Sequence, residues 1–133
     1  MKILRILFLI LISQALVMSC KKDEAKPADD HINIIGNWVN PDYQDSLIVL
    51  EKSVSLKLNE YGISFKADST LLERKNSGDC GTPPIAYGDF NGTWSVKDST
   101  ILIHVGYWGG TAFYKWKIIS ATDEKLIVKR VLF

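Results

Sequence analysis

Apolar and polar residues alternate in short runs at residues 53–58, 63–66, 94–97 and 114–118. Turn residues lead from these runs into three further apolar-rich runs at residues 71–75, 101–105 and 126–131. Successive side chains of an extended strand point to opposite faces, so each run predicts a strand with one apolar face. No stretch shows a convincing apolar stripe at helical spacing. The pattern therefore predicts an all-β domain.

Turn residues separate these runs and predict how the strands connect. Asp68-Ser69, Asp98-Ser99 and Asp123-Glu124 each lie between two runs, as expected for hairpins. We expect eight or nine strands in an antiparallel meander, forming a lipocalin-like up-and-down barrel or half-barrel, with a two-sheet β-sandwich as the alternative. Residues 76–89 contain Gly, Ser and two Pro, and predict a long loop.

The N-terminal segment has a different pattern, typical of export. Lys2 and Arg5 precede an apolar stretch over residues 6–18, which is too short to span a bilayer. Cys20 follows Ser19, and this arrangement resembles a bacterial lipobox. In a lipobox the cysteine is acylated, and cleavage just before it makes it the first residue of the mature protein. We expect a signal peptide over residues 1–19, a lipidated Cys20 with a charged linker over residues 20–32, and one β-barrel domain over residues 33–133.

Charge narrows the classes of partner. The whole chain has 16 basic and 15 acidic residues, and removing residues 1–19 takes away two of the basic ones. Without a basic excess, nucleic acid is not an expected partner. Lys21-Lys22-Asp23-Glu24 resembles the lipoprotein export signal of Bacteroidota, which implies lipid anchoring at the outer membrane with exposure at the cell surface. A solvated charged tether is the alternative for these four residues.

The order of three short motifs in the domain resembles a known family. Gly36-Asn37-Trp38 opens the first strand, Gly92-Thr93-Trp94 precedes a hairpin, and residues 114–119 precede the last strand. This layout is similar to the small lipocalin-like lipoproteins of Bacteroidota, within the calycin group. The resemblance implies that Trp38 closes the barrel floor and that a basic residue of the last strand, Arg130 or Lys129, packs across it.

Few residues suggest chemistry beyond the barrel itself. His104 lacks a second ligand at metal-binding spacing, and Cys80 lacks a base placed beside it, so we expect no metal site, no cofactor and no enzyme activity. Several aromatic residues flank predicted turns, where they could line a pocket, form an interaction rim or simply pack. They are Tyr61, Tyr107, Trp108, Phe113 and Tyr114.

Two functions remain open from the sequence. The first is a membrane-anchored protein that binds a small apolar ligand inside the barrel. The second is a cell-surface interaction protein or structural scaffold, in which the barrel core is solid and exposed aromatics such as Trp108 contact a protein partner.

Overall fold

The computed structural model describes residues 34–78 and 81–132 and shows a closed antiparallel β-barrel. The predicted signal peptide, the lipidation site Cys20, the linker and Cys80 lie outside the described residues. The eight strands are β1 (Gly36–Gln44), β2 (Leu47–Ser53), β3 (Gly62–Phe65), β4 (Thr70–Asn76), β5 (Tyr87–Lys97), β6 (Thr100–Tyr107), β7 (Gly110–Ala121) and β8 (Lys125–Val131). The all-β class and the closed barrel are confirmed, and the open half-barrel and the sandwich are not formed.

The strands follow one another around the barrel except at one place. From β3 to β8 each strand pairs with the next, but β1 lies between β2 and β3, and β2 pairs with β8 to close the sheet. The chain therefore passes from β2 to β3 over the outside of β1. We call residues 54–61 the crossover segment.

The crossover segment corrects one predicted strand. The alternation at residues 53–58 predicts a strand, but β2 ends at Ser53 and the following residues leave the ladder. Val54 and Leu58 are exposed, whereas Leu56 lies against Gly62 on the outer face of the sheet. Hydrogen bonds from Asn37 to the Val54 carbonyl and from Arg74 to the Lys57 carbonyl hold the segment in place. The strand does not form because the chain must cross β1 here.

Local turn chemistry sets the register of the hairpins. Asp98 and Ser99 join β5 to β6, and both have positive φ, at 50° and 55°. Such a two-residue turn matches the twist of the two strands it joins. Gly92 on β5 allows β5 and β6 to come close together, because a Cβ at this position would stand 2.3 Å from the His104 carbonyl oxygen on β6.

The inward-facing apolar residues form one core, which fills the end of the barrel where β1 begins. Ile34, Trp38 and Phe65 are almost fully buried there, and the Phe65 and Trp94 rings meet edge to face at 5.3 Å. Both indole N–H groups at this end have acceptors, since Trp38 Nε1 donates to the Ile34 carbonyl at 2.7 Å and Trp94 Nε1 to the Lys66 carbonyl at 3.0 Å. We call this the packed end, and the opposite end, where β1 finishes, the mouth.

Candidate functional site

A cavity of about 450 Å³ opens at the mouth of the barrel. Strands on different sides of the barrel contribute to its wall, so the cavity lies within the lumen. It is lined by Tyr43, Ile48, Tyr61, Glu73, Lys75, Tyr114, Lys115, Trp116, Arg130, Val131 and Leu132. A second depression, which includes Glu51 and Glu124, lies near the packed end and is lined mostly by exposed side chains. The mouth cavity is the better candidate site.

A buried carboxylate is the main polar feature of this cavity. Leu71 and Glu73 both point into the lumen, because they are two residues apart on β4. Glu73 is only 4 % exposed. Its Oε1 accepts hydrogen bonds from the Tyr61 hydroxyl at 2.7 Å and the Tyr114 hydroxyl at 2.8 Å, and its Oε2 lies 2.5 Å from Lys75 Nζ. The carboxylate is thus held by three donors.

The two tyrosines of this network, Tyr61 and Tyr114, are the cavity tyrosines. Burial raises the pKa of the Tyr61 hydroxyl well above its ordinary value, and the negative charge of Glu73 raises it further. The same two causes raise the pKa of Tyr114. Ionisation would place a phenolate beside the carboxylate, so both hydroxyls stay protonated and donate to Glu73 at neutral pH.

Trp116 and Arg130 form a second polar pair in the cavity wall. They are direct cross-strand partners on β7 and β8, and both side chains line the cavity. Trp116 is 2 % exposed, and its indole Nε1–H finds no acceptor among the residues that the structure describes. Arg130 is exposed at the mouth. The register therefore places the two side chains next to each other on one face of the sheet, with the indole N–H buried and the guanidinium exposed.

The structure separates the two residues expected to meet at the barrel floor. Trp38 is buried at the packed end, whereas Arg130 lies at the mouth, so Arg130 does not pack across Trp38. Trp38 pairs with Lys52 and Leu47 pairs with Lys129, which puts the two sites about 17 Å apart along β2. Lys52 takes the expected place instead, with Nζ 4.6 Å from the centre of the Trp38 ring and 2.7 Å from the Ile35 carbonyl oxygen.

The expected aromatic rim divides into two groups. Tyr61 and Tyr114 line the cavity, while Tyr107, Trp108 and Phe113 lie outside it on the β6–β7 hairpin and are 38 %, 56 % and 47 % exposed. Tyr107 and Trp108 pack edge to face at 5.9 Å. The hairpin is therefore an exposed aromatic surface beside the mouth and no part of the cavity wall.

Other candidate chemistry is not assembled in the described part of the chain. His104 is exposed on β6. Within residues 34–78 and 81–132, no group of three His, Cys, Asp or Glu side chains could hold a metal ion. Over the same residues, no helix has the length and apolar character needed to cross a membrane.

The fold and its cavity define a class of protein, a small closed β-barrel with a ligand-sized pocket at one end. Comparison with protein families agrees with this class. Residues 34–128 match the family described as a lipocalin-like domain, and the chain belongs to that family. Members of the family are generally binding proteins and not enzymes. Searches of curated proteins and of solved structures gave no significant match.

Proposed function

We propose that the protein binds a small, largely apolar molecule in the mouth cavity while Cys20 anchors it to the outer membrane. The cavity carries the ligand-binding part of this proposal. Its volume of about 450 Å³ lies within the range of roughly 300–1,000 Å³ that is usual for small-molecule sites. Ile48, Trp116 and Val131 supply apolar wall, and a few polar groups are placed among them, as is typical of such sites.

Native mass spectrometry of the full chain purified from its own host tests the ligand directly. A bound molecule of reproducible mass supports the proposal and reports the chemistry of the ligand. Val131→Trp should displace it, because Val131 lies at the rim of the cavity and is 38 % exposed. Val54→Trp is the matched control, since Val54 is fully exposed on the crossover segment. A chain that carries no molecule in any preparation would contradict the proposal.

Membrane anchoring is supported by the lipobox-like sequence before Cys20 and is tested separately. The chain has two cysteines, so Cys80→Ser is a natural control for Cys20→Ser. We expect radiolabelled palmitate to enter the unchanged chain and the Cys80→Ser variant, and not the Cys20→Ser variant. Equal labelling of all three chains would contradict the anchor. Surface protease accessibility in intact cells then tests exposure at the cell surface.

The exposed aromatic surface on the β6–β7 hairpin favours protein binding as a second candidate function. Trp108 is more than half exposed beside Tyr107, and exposed aromatic side chains are common at protein interfaces. Cross-linking in intact cells would identify a partner. Replacing Trp108 and Phe113 with Ala should abolish that cross-link while ligand binding in the cavity continues. An unchanged cross-link would count against this function.

A further inference from the structure

We propose that the ligand of the mouth cavity carries one anionic group, held by the Arg130 guanidinium and the Trp116 indole N–H, with its apolar body against the cavity wall. This inference rests on the proposed ligand-binding function and specifies the ligand class.

The register brings the two donors together. Trp116 and Arg130 are opposite each other on β7 and β8, and both line the cavity. Side chains of directly paired residues start about 5 Å apart on the same face of a sheet. A carboxylate, sulfonate or phosphate group with two oxygens can therefore accept from the guanidinium at the mouth, and from the indole once a small shift of the neighbouring side chains uncovers its buried N–H.

Both donors lack acceptors within the described part of the chain. The Trp116 N–H is buried with no hydrogen-bond partner, which is unfavourable for a polar group removed from water. For Arg130 the structure shows no hydrogen bond or ion pair among the described residues. A guanidinium has five N–H donors in a planar fork that suits an oxyanion. An acceptor group on a ligand would satisfy both side chains.

The Glu73 carboxylate does not act as the acceptor for Trp116 and Arg130. Glu73 already accepts from both cavity tyrosines and is paired with Lys75. Its negative charge is thus balanced within the network. The side chains that point into the lumen here include two cations, Lys75 and Arg130, against this one carboxylate. The remaining charge facing the cavity is positive, which favours an anionic ligand over a cationic one.

The test compares two fluorescent probes with the same aromatic body. 8-Anilinonaphthalene-1-sulfonate carries one sulfonate, and N-phenyl-1-naphthylamine is the neutral molecule without it. Both are titrated into the purified full-length chain in detergent-free buffer, with probe fluorescence as the readout. We expect the sulfonate probe to bind about tenfold more tightly than the neutral probe, because a hydrogen-bonded charge pair at a partly exposed site lowers the dissociation constant by roughly a factor of ten.

Three variants locate the effect. Arg130→Gln should lower the affinity for the sulfonate probe about tenfold and leave the affinity for the neutral probe unchanged. Lys129→Gln removes the same charge from the adjacent residue, which does not line the cavity, and should change neither probe. Trp116→Phe keeps an aromatic ring but removes the N–H donor, and should weaken the sulfonate probe about threefold to fivefold.

The outcomes separate this inference from the proposed function. Equal affinities for the two probes, unaffected by Arg130→Gln, would overturn the anion site while leaving a ligand-binding cavity. Equal losses in Arg130→Gln and Lys129→Gln would also overturn it, because they would show general charge attraction. Failure of both probes to bind, together with a chain purified without any ligand, would refute the proposed function itself. Val131→Trp should block both probes and shows that they occupy the cavity.

Discussion

Replacement of Glu73 by Gln should destabilise the barrel by about 3 kcal/mol. The substitution keeps the shape of the side chain and removes its charge. Hydrogen bonds to a charged acceptor contribute about 1 kcal/mol more than neutral ones, so the bonds from Tyr61 and Tyr114 should together lose about 2 kcal/mol. The new amide also faces the Lys75 ammonium as a second donor.

The Lys75 contact adds a smaller cost. Breaking a fully buried ion pair costs about 3–5 kcal/mol. The Lys75 side chain is 20 % exposed, so its ammonium can turn towards water at the mouth, and we expect only about 1 kcal/mol from this contact. The total corresponds to a Tm lowered by roughly 15 °C for a barrel of this size.

Urea unfolding followed by tryptophan fluorescence measures the change in the free energy of unfolding. Glu51→Gln is the matched control, because Glu51 is exposed and accepts one hydrogen bond from Asn40; it should change stability by less than about 0.5 kcal/mol. A loss below about 1 kcal/mol in Glu73→Gln would show that the three contacts do not stabilise the barrel. A gain in stability would show that the desolvation of the carboxylate outweighs them.

A double variant identifies how much of the loss comes from the ion pair. Lys75→Met removes the cation and leaves Glu73 with its two tyrosine donors. If the ammonium and carboxylate interact as their 2.5 Å separation indicates, combining both substitutions should cost about 1 kcal/mol less than the sum of the single variants. Additive losses would mean that Lys75 contributes independently of Glu73.

Three further predictions concern the tyrosines, a glycine and the crossover segment. Because their pKa values are raised, the cavity tyrosines stabilise the barrel fully below about pH 10, and their contribution falls at higher pH by up to about 1.4 kcal/mol per pH unit for each tyrosine. Absorbance at 295 nm reports tyrosine ionisation, so replacing both residues with Phe should leave the absorbance rise of the native chain unchanged up to about pH 11.5. A smaller rise in the variant would contradict their burial. Gly92→Ala should cost more than about 2 kcal/mol because its Cβ would meet the His104 carbonyl, whereas Gly106→Ala, with nothing nearer than 3.6 Å, is the control in the same urea assay. Arg74→Gln removes an exposed ion pair with Asp89 and should cost less than about 1 kcal/mol, yet it should speed amide hydrogen exchange in the crossover segment, whose carbonyls it holds; unchanged exchange would contradict that role.

Much of the barrel follows from alternation and turn residues in the sequence. Runs such as residues 101–105 and 126–131 lie within strands, and Asp98-Ser99 forms the predicted hairpin turn. The crossover segment could not be anticipated in this way, because residues 53–58 alternate as well as any strand does. Their position outside the ladder depends on β1 lying between β2 and β3, which is a property of the whole topology.

The cavity was harder to predict, for a physical reason specific to its strands. Leu71 and Leu72 are both apolar, so alternation does not show which face of β4 carries Glu73. The same ambiguity affects Leu126 and Ile127 on β8, and hence the direction of Arg130. On β1, an irregularity in the register between Val39 and Asp42 disturbs the alternation before Tyr43. Of the residues proposed for a pocket because they flank turns, only the cavity tyrosines line the cavity.

The polar network also explains how this barrel can hold a cavity at all. At the packed end, Trp38, Phe65 and Trp94 fill the lumen, but at the mouth the space is left open and the apolar contacts are lost. Glu73 compensates by joining β4 to Tyr114 on β7 across the lumen, with Tyr61 beside β3. These bonds fix the distance between opposite walls before a ligand enters. A ligand then binds to a site that is already ordered, and less of its binding energy is lost in ordering the protein. Because the network satisfies itself, the groups left to recognise a ligand are those on the neighbouring pair of strands, Trp116 and Arg130.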